Sequence, residues 1–542
     1  MVMTVIDLHG IELKLLLFLF FIFTYAEIHF RIPFIRGFIY REQPEIIFDT
    51  PYRIQADQLP ILLLAKDADR FPVYLKEIYI EISDGDSAKL LLSRNITENL
   101  EISTRWFSKI YWLDVSAFRG KTLEVACRGF FSINGKTFII RNDNYPGLSH
   151  KNLRVFIDPE PLPKEKGWIS GDLHCHSYYT EDQVEFGLPV HLFSELGPSM
   201  GLSFSAITDH SYDLDDKPGS WVKFDQKLTK YKKSREEIEA INKKSKNYIL
   251  IPGEELTVDN GKGRHVHMLI LNNKYFIPGN ADGFEGIFNH KVAKYYAEIS
   301  ELADDSMLTA SAHPLTEFPL VQQIVLKRGV WNFNDKTDKL DGHQILNGKI
   351  DEAFEKGKKL WVKQLLNGQK KFIYAGNDSH GNLNRFRQLR TPLLKLYERD
   401  YQIFGECRTM VKFDISRGME NLVKTLKSRD VIITNGPFVN ITAKTKTGEI
   451  KGIGSHINHK NLLSIKVTGK SSNFFGNIKK LTLLHGKVRE SEEHKILDED
   501  ISQKVTNIES EIEPTCLSTG YVRAEIYTDK NKFALSNPIW LI

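Results

Sequence analysis

Between Trp168 and Gly436 one arrangement recurs: a short apolar run, then imidazole and carboxylate side chains. Six such clusters follow one another. The first is Gly171-Asp-Leu-His174-Cys-His176-Ser177. Residues i and i+2 of a strand project from the same face, so both imidazoles aim at one point. Phe204-Ser-Ala-Ile207 leads into Thr208-Asp209-His210-Ser211, and Tyr248-Ile-Leu-Ile251 into Pro252-Gly253-Glu254-Glu255. Arg264-His265-Val-His267-Met-Leu-Ile-Leu271 again spaces two histidines by two. Leu308-Thr-Ala-Ser311 precedes Ala312-His313-Pro314, and Phe372-Ile-Tyr-Ala375 precedes Gly376-Asn-Asp378-Ser-His380-Gly381. Asp378 and His380 share a face if the strand continues.

One His-x-His triple means little, because 17 histidines in 542 residues give about 0.5 such triples by chance. Six clusters in one segment, nearly all beside a strand, argue for a site. Imidazole is the commonest neutral metal ligand. Cys175 faces away from the histidine pair and reads as core. Between the clusters lie amphipathic runs, Ser234 to Lys246 and Asn289 to Ala303. Strand then helix, repeated, is the signature of an α/β layer or barrel, whose sites are built at the carboxyl ends of strands.

The flanks have a different texture. Residues 27–160 alternate short apolar and β-branched stretches, such as Ile78-Tyr-Ile-Glu-Ile82, with turn signals such as Asp84-Gly85-Asp86 and Asn134-Gly135. This reads as an N-terminal β-sandwich-like domain. Asp158 to Gly167, with three prolines, is a linker into the 166–436 domain. Residues 437–542 return to short β-like pieces and read as a C-terminal β-sandwich-like domain.

Leu15 to Phe23 is an unbroken apolar run preceded by Lys14 and followed by Thr24-Tyr25-Ala26. Residues 1–26 are therefore expected to be a signal peptide, with an uncleaved anchor or a buried N-terminal element as alternatives. The protein is placed outside the cytoplasm, secreted or periplasmic. No segment reaches the about 20 apolar residues of a comfortable membrane span. Four cysteines without a CxxC pair exclude a disulfide scaffold and a cysteine-rich zinc finger. The formal charge, 73 − 69 = +4, is nearly neutral over this length and argues against nucleic acid as a partner. Nothing in the sequence fixes an oligomeric state.

The ordered clusters DLHCHS, ITDHS, GEE, HVHMLIL, SAHP and NDSHG resemble the PHP (polymerase and histidinol phosphatase) domain of metallohydrolases, over about half the chain. Trp361-x-x-x-Leu365-Leu366-x-Gly368, Leu346-Asn347-Gly348 and Thr434-Asn-Gly-Pro437 are more similar to its CehA/McbA-type branch. The resemblance implies an α/β fold, a distorted (β/α)7 barrel flanked by the two β domains and holding up to three metal ions. It implies His174, His176, His210, Glu255, His267, His313, Asp378 and His380 as ligands. Glu254 is the alternative to Glu255, and His265 to His267. A further acidic ligand falls on Glu181 or Asp182, with Asp182 preferred. Asp209 would orient the loop or a ligand.

Six imidazoles and three carboxylates exceed what one ion needs. They suit two or three divalent ions of zinc, manganese or iron type. Such a centre lowers the pKa of bound water toward 7, and the hydroxide attacks an ester. The expected function is a metal-dependent hydrolase of a small-molecule phosphate ester or carboxyl or carbamate ester, with turnover depending on His174, His176 and Asp378. The competing reading is a non-catalytic metal-binding or interaction module. A nuclease is the weakest of the three, given the charge. Arg385, Arg387, Arg390 and Arg408 follow the last cluster but read more simply as structural or solvated.

Overall fold

Alternating apolar residues shape most of what the chain forms, and they form strands. The structure, a computed structural model, describes residues 43–145, 150–180, 187–220, 223–281, 298–299, 304–333, 339–390, 395–514 and 517–542. Among these there are thirty strands and six α-helices. The apolar run Leu15 to Phe23, the residue pair Glu181 and Asp182, and nearly all of 289–303 lie outside the described residues. No described helix is long and apolar enough to cross a membrane.

The chain divides into two compact units. The first comprises 1–159, 181–189 and 381–400. Its three-stranded sheet pairs Glu45–Asp49, Gln58–Lys66 and Trp106–Asp114, and its six-stranded sheet is built around Thr122–Ile133 and Val73–Asp84. In Val73–Asp84 burial alternates along Val73, Leu75, Ile78, Ile80 and Ile82, the signature of a half-buried strand. These side chains share one core with Phe48, Leu59, Leu63, Val125 and Val155. The Asn134-Gly135 turn sits at φ +48° and +79°, which matches the twist of the hairpin it closes between Ile133 and Lys136.

Beneath that core Arg53 and Asp158 form an ion pair at 2.7 Å, both side chains almost fully buried. Breaking a buried pair by removing one partner costs about 3–5 kcal/mol. Asp158→Ala is therefore expected to destabilise this unit by that amount in denaturant unfolding. The double variant Arg53→Met/Asp158→Leu should recover most of it. A single variant as stable as the parent would show that the pair contributes nothing.

The second unit comprises 160–180, 190–380 and 401–542. It contains a fifteen-stranded mixed sheet. In order across the sheet run Phe372–Gly376, Gly342–Asn347, Leu308–Ala312, His265–Leu271, Ile249–Asp259, Phe204–Ile207 and Trp168–Cys175. The sheet continues through Arg408–Lys412 and Val431–Thr434 to Phe533–Ser536, Gly520–Thr528, Ile478–Lys487 and His494–Asp500. A four-stranded sheet that includes Phe438–Thr445 and Leu462–Lys470 shares a core with these last strands, through Phe438, Ile441, Val467, Leu481, Val522 and Ile526.

The expected α/β fold with a distorted (β/α)7 barrel is therefore corrected. A barrel of that kind repeats parallel strands with a helix after each. Here Ile249–Asp259 pairs antiparallel with His265–Leu271, and that strand antiparallel with Leu308–Ala312. Trp168–Cys175 is antiparallel to Arg408–Lys412, through which the sheet runs on into the C-terminal strands. The fold is predominantly β. The reason is local. Asp259 Oδ1 accepts from the N–H groups of Gly261 and Gly263, and Asn260 Oδ1 from those of Lys262 and Arg264. These bonds close a tight turn, and a tight turn joins only antiparallel neighbours.

Helices fill the remaining gaps. Glu352–Leu366 begins at Asp351, whose Oδ1 accepts from Phe354 N–H, carries Glu352 and Glu355 in its first turn, and buries Phe354, Trp361, Leu365 and Leu366. The Lys-rich run forms Thr229–Lys244, burying Tyr231, Ser234 and Ile238 along with Lys230, while the other lysines of its last turns stay on the polar side.

Candidate metal centre

His174 is the penultimate residue of the strand Trp168–Cys175, and His176 follows at its exit. His210 precedes the one-turn helix Ser211–Leu214, just beyond Phe204–Ile207. Glu255 lies within Ile249–Asp259 and His267 on the strand paired with it. His313 follows Leu308–Ala312, and Asp378 and His380 follow Phe372–Gly376. Backbone bonds from His176 N–H to Ser379 C=O and from Ser379 N–H to His174 C=O bring the first and last clusters together.

Glu255 is the hub. Its Oε2 lies 3.2 Å from His174 Nε2, 3.3 Å from His176 Nε2 and 3.1 Å from His210 Nδ1. Its Oε1 lies 2.8 Å from His267 Nδ1 and 3.2 Å from His313 Nε2. Asp378 approaches from the other side, with Oδ1 3.1 Å from His176 Nε2 and 3.4 Å from His174 Nε2. His380 stacks on His176 with ring centroids 4.1 Å apart. The eight described candidates thus converge; Asp182 and its alternative Glu181 lie outside the described residues.

The two open alternatives separate by strand geometry. Glu254 points to the opposite face, where it meets Arg235 Nη2 at 3.3 Å and bonds to Asn273. His267 touches Glu255, whereas His265 stands two residues, about 7 Å, further along the strand beside Arg328. His343 is also buried but belongs to the core: Ser311 Oγ at 2.8 Å and Gln364 Oε1 at 2.7 Å satisfy both ring nitrogens.

Electrostatics favours a cation here. Burial opposes the charge on Glu255, yet His267 and His174 outweigh it and hold the carboxyl well below its usual range. Asp378 behaves alike: burial opposes its charge, and His174 and His176 prevail. Burial also opposes a proton on His174, but Glu255 and Asp378 lift that imidazole to about 9. Burial and the neighbouring His176 push His210 down to about 3. Two anionic carboxylates therefore stand among imidazoles that cannot all be protonated.

The donor set fits metal ions. The ligand atoms fall into three groups, His176/His210/His380, His174/His176/Glu255/Asp378 and Glu255/His267/His313, and within each every atom lies within 4.8 Å of the others. Glu255 and His176 each belong to two groups. Glu255 Oε2 and His210 Nδ1 are buried 3.1 Å apart, and among the described residues neither makes a well-aligned hydrogen bond, which suits two donors to a shared cation. These residues could hold metal ions through nitrogen and oxygen donors.

A surrounding layer fixes the ligands. Gln344 Oε1 lies 3.0 Å from His174 Nδ1, and Thr180 Oγ1 3.3 Å from His176 Nδ1. Each holds the proton on Nδ1 and turns Nε2 inward. Asp209 accepts from Ser177 N–H and Oγ–H at 2.6 and 2.7 Å, pinning the loop after His176. Asp172, Gln344, Asn347 and Gln402 were not among the expected functional residues. For Gln344 the signal is a fully buried glutamine inside the strand Gly342–Asn347. Of the arginines, Arg408 is buried and donates to Gly405, Glu406 and Gly436 carbonyls, and is structural. Arg385 donates to Lys151 and Asn152 carbonyls; the side chains of Arg387 and Arg390 lie outside the description.

No protein-family model and no curated protein matches the chain. Solved structures it was aligned with include a glycosyl hydrolase family 2 member from Bacteroides cellulosilyticus (11% identity, 92% of this chain and 63% of that chain, TM-score 0.15). Others are a Parabacteroides merdae β-glucuronidase (8%, 91% and 63%, TM-score 0.20) and a putative β-galactosidase from Bacteroides fragilis (8%, 92% and 73%, TM-score 0.20). The chain spans under two thirds of the first two. Overlays at these scores establish neither fold nor chemistry.

Proposed function

We propose that the second unit is a metal-dependent hydrolase acting on a small-molecule phosphate ester or a carboxyl or carbamate ester. The observation that carries this is one buried carboxylate, Glu255, in reach of five imidazoles, with Asp378 opposite. The resemblance of the six clusters to PHP metallohydrolases, the CehA/McbA-type branch in particular, supports it. Two or three bound divalent ions of zinc, manganese or iron type would activate water and polarise the scissile ester. The chain's own residues do the rest. Gln344 and Thr180 keep His174 and His176 in the tautomer whose Nε2 faces the centre. Gln402 and Asn347 direct amide N–H groups at Asp378 Oδ2, from 3.3 and 3.5 Å, and so fix the direction of its carboxylate. Burial excludes bulk water and strengthens each of these interactions. The N-terminal apolar run supports export from the cytoplasm.

The test is a panel of chromogenic phosphate, carboxyl and carbamate esters on metal-reconstituted full-length protein, with and without chelator. Chelation should abolish turnover, and re-addition of Zn, Mn or Fe should restore it. His174→Ala and Asp378→Ala should keep the circular dichroism of the parent and lose turnover. Bound metal without turnover on any ester would favour the binding module. Turnover indifferent to chelator would overturn the reading.

A further inference from the structure

Among the described ligands of the centre, Asp378 is the most exposed. The Asp378 side chain keeps 18% of its surface, and the histidines that touch the two carboxylates at most 10%. The approach is therefore on the Asp378 side, past the amides of Gln402 and Asn347. A close backbone fit holds those two amides together. Gly348 has φ +68°, its N–H donates to Gly376 C=O at 3.1 Å, and a Cβ there would lie 2.7 Å from Gln402 N. Gln402 itself sits at φ +61°, a conformation that costs energy and clusters at functional sites.

Lys349 follows two residues after Asn347, and Tyr401 directly precedes Gln402. Lys349 Nζ lies 4.2 Å from the centroid of the Tyr401 ring. The ring face attracts the ammonium and limits where it goes. The lysine's ion-pair partner is Asp351, at 3.5 Å and with both side chains more than a third exposed, while Asp351 Oδ1 caps the following helix. So weak an exposed pair leaves the ammonium available.

We infer that Lys349 recognises an anionic oxygen group of the substrate, a phosphate or a carboxylate, at the mouth of the centre, with Tyr401 holding the ammonium in position. An anion arriving beside Asp378 meets a like charge, and a cation on the approach offsets that repulsion. The substrate class is thereby narrowed to anionic esters, an inference that rests on the hydrolase reading for its use of the word substrate. Lys349 is a specificity residue that meets the substrate through its anionic oxygens.

The experiment compares the parent, Lys349→Met and Lys349→Arg as full-length metal-loaded proteins. It measures KM and kcat on p-nitrophenyl phosphate and p-nitrophenyl acetate, and the binding of inorganic phosphate by calorimetry. Lys349→Met should lower the preference for the phosphate ester about tenfold, chiefly through KM, and weaken phosphate about tenfold. Lys349→Arg should restore most of both. Equal phosphate affinity and equal preference in parent and Lys349→Met would overturn the inference while leaving the hydrolase reading intact. Lys349-dependent phosphate binding with no turnover of any ester would do the reverse: the anion site stands and the hydrolase reading falls.

Discussion

Glu255→Gln is expected to remove most bound metal and to cost at least about 10³-fold in kcat/KM. The substitution keeps volume and shape, so loss cannot be ascribed to a cavity. What changes is charge and donor character. Oε1 faces His267 and His313, and Oε2 faces His174, His176 and His210. Whichever oxygen becomes an amide nitrogen, two or three imidazoles lose the atom that would share a cation with them. Glu254→Gln is the matched control. That carboxylate is equally buried but faces Arg235 and Asn273 on the other side of the strand. Its loss should leave far more metal bound than the loss of Glu255. Metal per chain measured by emission spectroscopy, alongside turnover, decides the matter. Full metal content and full turnover in Glu255→Gln would refute a centre built around Glu255.

The convergence of His174, His176, His210, Glu255, His267, His313, Asp378 and His380 was legible because it depends on short-range rules. Each side chain sits on a strand or just beyond the end of one, and strand alternation alone puts Glu255 and Glu254 on opposite faces. The arrangement of strands was not legible in the same way. Apolar runs at these spacings announce strands without saying which edges pair or in which direction. Parallel pairing was inferred from alternation with helical stretches, and the Asp259-Asn-Gly-Lys-Gly263 turn breaks that pattern by folding Ile249–Asp259 back on His265–Leu271. The surrounding residues Gln344 and Gln402 were harder still, because a neutral amide has no preferred spacing. Only the folded chain places Gln344 against His174, 170 positions away.

Asp172→Ala should be the most destabilising single change near the centre. The residue is fully buried, and its carboxylate accepts four hydrogen bonds. Oδ1 takes the N–H groups of His174 and Asn377, each at 3.1 Å. Oδ2 takes Asn377 Nδ2 at 2.6 Å and Gly405 N–H at 3.1 Å. One side chain therefore ties the His174 strand to the loop that presents Asp378 and to the segment that leads back from Gln402. Alanine leaves four buried donors, and each costs about 1–3 kcal/mol when unsatisfied. Even at the low end the loss is about 4 kcal/mol, or roughly 5 °C in melting temperature for a unit of this size. Asp172→Asn should cost less, since one oxygen remains, but its amide N–H₂ must oppose another donor. Metal affinity should fall with stability in both variants, because the backbone beside His174 and the residue before Asp378 both lose their anchor. Thermal melts and metal titrations read the two effects separately. An alanine variant that melts with the parent would mean that the four donors find other acceptors, and that Asp172 does not hold the centre together.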